Sequence, residues 1–165
     1  MHDDPEDVRV VDMFKVQRHA RDSTTCDNAG MPRFLTLCLT ALPILAVIDL
    51  LWLGVVASRF YRESLGDLFA PEVNWMAAGL FYVIFIAGLT FFAIGPAIEA
   101  RSIGVALGRG AFLGLLAYAT YDLTNLAVIR NWPVLMSVVD IAWGTLMSAV
   151  VASLTYWLAT AWWKM

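Results

Sequence analysis

Histidine is almost missing from this chain. The two residues present, His2 and His19, both precede every apolar run. A histidine-ligated haem, a histidine-box di-iron centre and a Ser-His-Asp triad are therefore not expected in the main body. Cysteine is equally scarce: Cys26 and Cys38 are the whole complement, and no disulfide framework follows from them. No stretch interleaves Lys or Arg with aromatics as a nucleic-acid surface would, so no nucleic acid is expected as a partner. No segment reads as a strand feeding a glycine-rich turn, which removes a phosphate-binding loop. The acidic residues show no established ligand spacing, so no metal and no cofactor is implied.

Charge is also absent from long stretches, and these define the architecture. Hydrophobic residues make up 60% of the 165, with 7 tryptophans, a balance typical of membrane proteins. Crossing the hydrocarbon layer takes about 20 apolar residues. Four segments qualify: 34–57, 75–98, 104–129 and 134–163. They are apolar around their whole circumference, unlike the amphipathic helices of a soluble bundle. An all-α membrane protein is expected, a bundle of four transmembrane helices. The first segment is too long for a signal-peptide core and lacks a small-residue cleavage pattern, so it reads as a permanent span. Residues 1–33 read as a cytoplasmic N-terminal tail, with "MPRF" at Met31 as an alternative start.

Basic residues near the membrane set orientation. Lys15, Arg18, Arg21, Arg33, Arg101, Arg109 and Lys164 fall on the side of the N-terminus, and only Arg59, Arg62 and Arg130 on the other. Both termini are expected in the cytoplasm. The connection after the first span, "SRFYRESLGDLFAPEVN", carries Phe60, Tyr61, Leu65, Leu68 and Phe69 near helical spacing, with charges between. It reads as a short interfacial helix ended by Gly66 or Pro71, either a cap on the bundle or a lid over a cavity.

Two matches suggest an internal repeat. "DLLWLGV" from Asp49 resembles "DLTNLAV" from Asp122, each near the end of an odd-numbered span, and Asn74-Trp75 and Asn131-Trp132 each introduce an even-numbered one. A parallel 2+2 duplication would set corresponding residues face to face about an axis along the membrane normal.

The aspartates raise the functional question. At about 1.5 Å per residue, Asp49 stands some 12 Å before the outer end of the first span and Asp122 some 10 Å before that of the third. By the same rise, Asp140 stands about 9 Å past the outer start of the fourth, and Tyr82 at a similar depth in the second. Tyr118 and Asn125 flank Asp122 at helical spacing, and Trp52 and Trp143 each follow an aspartate by three residues. These eight residues form one expected polar layer, with Arg59, Arg62 and Arg130 at its outer mouth. An ionised aspartate at a helix centre costs about 2.5 to 3.5 kcal/mol, and no base shares the layer. At least one carboxyl is therefore expected to carry a proton.

Two readings stand open: a hydrogen-bonded network joining helices, or a proton, ion or lipid head-group site. Gly104 with Gly108, Gly110 with Gly114, and Gly144, Ser148 and Ala152 are spaced for close helix packing, within the chain or in a homodimer. Trp75, Trp132, Trp162 and Trp163 sit at segment ends, as an aromatic belt would.

The stretches from Phe34 to Trp75, "AYATYDLTNLAVIRNWP" and "VVDIAWGT" resemble the bacterial membrane proteins grouped as domain of unknown function 2177 (DUF2177), over about Met31 to Trp163. The resemblance implies a four-helix protein integral to the bacterial cytoplasmic (inner) membrane, in contact with membrane lipids, and supplies no activity. Besides a site in the layer, the sequence admits an accessory or assembly subunit of a larger membrane complex, with the aspartates structural.

Overall fold

The computed structural model describes residues 32–70 and 72–162, with the Asp67 side chain excepted. The expected tail up to Met31, Pro71, and Trp163 with Lys164 lie outside the described residues. The packing below is internal to the compact unit that begins at Leu37.

Four long helices, each apolar enough to cross a membrane, make up the bundle: α1 (Pro32–Val56), α3 (Trp75–Ala100), α4 (Ile103–Val128) and α5 (Val134–Trp162). A short helix α2 (Ser58–Leu65) joins the first two. In lipid each backbone polar group must be satisfied within its own segment, which dictates helices here. The described ends lie within two residues of the sequence expectation, with Trp75 and Val134 as expected, and local features set several of them. The described part of α1 runs from Pro32. Asn74 caps α3, its side chain accepting from the Ala77 N–H at 3.1 Å. Arg101 ends α3 in the left-handed conformation. Gly66, at φ +52°, is what stops α2.

Two helices carry a wide π-type turn, Trp52–Val56 at the end of α1 and Thr90–Ile94 within α3. The second precedes Pro96, which has no N–H to donate and crowds the preceding turn.

Contacts fix the chain directions. Gly110 lies against Ala152 and Ser148, Gly114 against Ser148 and Gly144, and Gly144 against the Tyr118 ring. Helices α4 and α5 are thus an antiparallel pair. A methyl added at Gly110 would stand 2.8 Å from the Ser148 carbonyl oxygen and 2.9 Å from the Ala152 Cβ, so these backbones meet only because the side chains are absent. The stripe with Gly110, Gly114, Gly144, Ser148 and Ala152 is therefore an intramolecular seam. Gly104 and Gly108 take no part in it, with nothing within 4 Å of a Cβ at Gly108. Helices α1 and α3 also run antiparallel: Cys38 meets Thr90, Sγ to Oγ1 3.4 Å, and Asp49 meets Tyr82.

Leu37, Ala41 and Leu45 of α1, Leu89, Ile94 and Ala97 of α3, and Met147 and Val151 of α5 share one apolar core. A second cluster, of Ala57, Tyr61, Trp132 and Met136, ties α2 over the turn between α4 and α5.

Candidate functional site

The acids lie near one end of the bundle, where α1 and α4 finish and α3 and α5 begin. Asp49 and Tyr82 are seven residues from the adjoining ends of their helices, and Asp122 and Asp140 six, about 9 to 10 Å by helical rise. Asp49 is buried, at 5% exposure, and its Oδ2 accepts from the Tyr82 hydroxyl at 2.7 Å. Asp140 is half-buried and accepts from the Tyr61 hydroxyl. The Trp52 indole donates to that same hydroxyl at 3.4 Å, so α1, α2 and α5 are joined through one phenol.

Asp122 differs from both. It is wholly buried, with Ser137 and Asp140 beside its carboxyl, yet neither oxygen stands in hydrogen-bond geometry with a described residue. The Ser137 hydroxyl accepts from the Trp132 indole at 3.0 Å.

Trp52 and Trp143 stack in parallel, ring centres 4.2 Å apart. The Trp143 N–H is buried without an acceptor among the described residues. Tyr118 presents its ring edge to Phe85 of α3 at 6.3 Å. Between these groups lies a cavity of about 420 Å³, whose lining includes Asp49, Asp140, Tyr61, Tyr82, Tyr118 and Trp143. Phe81, Tyr121 and Met136 complete much of its wall, and among the described residues no Lys, Arg or His contributes to it.

The structure thus brings together Asp49, Trp52, Tyr82, Tyr118, Asp140 and Trp143, with Asp122 directly behind Asp140. Asn125 is half-buried and outside the cavity lining; its carbonyl accepts from the Ile129 N–H. The mouth arginines do not enter the cavity. Arg59 pairs with Glu63 on the exposed face of α2, Arg62 lies over the Phe69 ring at 5.3 Å, and Arg130 is exposed.

Sequence reasoning missed Tyr61 and Ser137. In the sequence Tyr61 reads as one of the apolar-spaced residues of α2, but a tyrosine there can bury its ring and still deliver a hydroxyl. Burial, and next the Asp140 carboxyl it donates to, hold the Tyr61 phenol well above its ordinary range. Trp132 departs from the expected belt role: it is buried at 8% exposure in the second cluster, whereas Trp75 and Trp162 are exposed at 74% and 76%. The two Asn-Trp pairs also differ locally, since Asn74 caps a helix and Asn131 adopts a left-handed turn at φ 62°.

The family described as "Predicted membrane protein (DUF2177)" matches residues 34–157, which hold all four spans but their outermost turns. The chain belongs to the DUF2177 family. No curated protein matches it, and no solved structure does. The DUF2177 match contains every residue of the cavity wall, α2 included.

Proposed function

We propose that this DUF2177 protein is a bacterial inner-membrane protein whose cavity binds a positively charged species: a proton, a small cation or a cationic head group. Lys and Arg distribution supports cytoplasmic termini, which sets the cavity in the outer half of the bilayer. The observation that carries the reading is the cavity's unbalanced charge. Asp49 and Asp140 line it, with Asp122 beside Asp140, and the described donors to Asp49 and Asp140 are the hydroxyls of Tyr82 and Tyr61. A carboxylate in a low-dielectric site needs a proton or a counter-charge, and no side chain in the lining supplies one.

The unpartnered oxygens of Asp122 favour a site over a purely structural network. A buried acid whose role is to join helices has its acceptors filled, since an unfilled one costs about 1 to 3 kcal/mol.

Thermal unfolding of purified protein in nanodiscs, titrated with acid and with sodium, tests this. Asp49→Asn and Asp140→Asn keep the shape and the acceptor oxygen, so both variants fold and lose the cation-dependent part of the stabilisation. If both variants fail to assemble, or fold and keep that stabilisation in full, the aspartates are structural.

A further inference from the structure

We propose that the species bound in the cavity is an organic ammonium group, held by carboxylate charge and aromatic faces together; this rests on the cation reading above. Three features of the cavity separate an ammonium from a bare ion. The first is volume. About 420 Å³ lies in the range of small-molecule sites, roughly 300 to 1,000 Å³, and far exceeds what a proton or one metal ion needs.

The second is the ligand set. A hard cation takes at least six oxygens at short distance. Among the described residues, however, no group of three or more acidic, histidine or cysteine side chains has metal-binding geometry. The carboxylates of Asp49 and Asp140 come from different helices, α1 and α5, and each accepts from a tyrosine hydroxyl.

The third is the wall itself. Tyr61, Phe81, Tyr82, Tyr118, Tyr121 and Trp143 surround the two carboxylates. Aromatic faces attract a weakly hydrated, carbon-clad cation and do little for a strongly hydrated one. Beside Asp140, Asp122 is fully buried, with neither oxygen in hydrogen-bond geometry with a described residue. An alkylamine from solution and the amine of a lipid head group share this chemistry, and the experiment tells them apart.

Equilibrium binding of choline is measured to full-length protein in nanodiscs of phosphatidylglycerol alone, with 3,3-dimethylbutanol as the uncharged isostere. Saturable choline binding is expected, with the isostere weaker by at least about tenfold, as loss of the charge over aromatic faces implies. Asp49→Asn with Asp140→Asn abolishes it, and Phe81→Leu, which removes one ring and leaves the carboxylates untouched, weakens it severalfold.

Nanodiscs that also contain phosphatidylethanolamine assign the source: competition with choline identifies a lipid head group, and no competition identifies a free amine. Equal binding of choline and its isostere, or no choline binding at all, overturns the ammonium assignment. If that happens while stability still answers to acid or sodium, the cation reading survives alone. If stability does not answer either, both fall.

Discussion

The hairpin of α4 and α5 is two structures in one. At Gly110, Gly114 and Gly144 the helix backbones touch, with no room for a methyl group. One turn past Gly114 the Tyr118 ring lies on Gly144, and beyond it come Asp122, Asp140 and the cavity. Small residues give up side-chain volume so that backbones pack in the absence of a hydrophobic force between helices. Large aromatic and acidic residues at the other end hold the helices around a space. Rigidity from the seam is what lets costly buried acids keep their positions at the cavity.

Breaking the seam should have the largest effect. Gly114→Ala and Gly144→Ala drive a methyl into a backbone carbonyl and into the Tyr118 ring respectively. Each should cost about 3 kcal/mol or more, at the upper end of overpacking penalties, read by unfolding in mild detergent. Gly108→Ala meets nothing within 4 Å and is expected to be neutral or to stabilise by up to about 1 kcal/mol through helix propensity. Equal losses at all three positions would show that the seam is not specific.

At the cavity end the effects are smaller. Tyr61→Phe removes the hydroxyl that Asp140 accepts from and should cost about 1 to 3 kcal/mol for the unfilled carboxyl. The same residue sets a pH dependence. Its phenol is raised above the ordinary value of 10.0, so the folded state holds this proton more tightly than the unfolded one. That stabilisation is complete below about pH 10 and is lost as pH rises beyond it. Tyr61→Phe should therefore flatten the alkaline fall in stability, and a profile unchanged by the substitution would detach Tyr61 from Asp140. The smallest change is expected on the outer face of α2. Arg59→Ala breaks an exposed pair with Glu63 and should cost no more than about 0.5 kcal/mol.

The two ends were not equally legible in the sequence. Four helices could be read because apolar length is a property of each segment alone, and the aspartates could be placed at one level because helical rise is constant. Spacing by four marked the small residues, but only packing shows that Gly110 and Gly114 join the seam and Gly108 does not. Tyr61 was hidden because its partner Asp140 lies 79 residues away in the chain, and no local pattern links a short amphipathic helix to an acid in the last span. The burial of Trp132 was hidden for the same reason: a tryptophan at a helix start reads as an interfacial anchor until α2 is seen to cover it.

Infrared difference spectroscopy of the carboxyl band, recorded in nanodiscs as pH and sodium are varied, tests the central claim most directly. If the cavity acids carry the bound positive charge, the band responds in the native protein. It should then shrink in Asp49→Asn and in Asp140→Asn, and be largely lost in the double variant. A response of native size in a folded double variant would contradict the account.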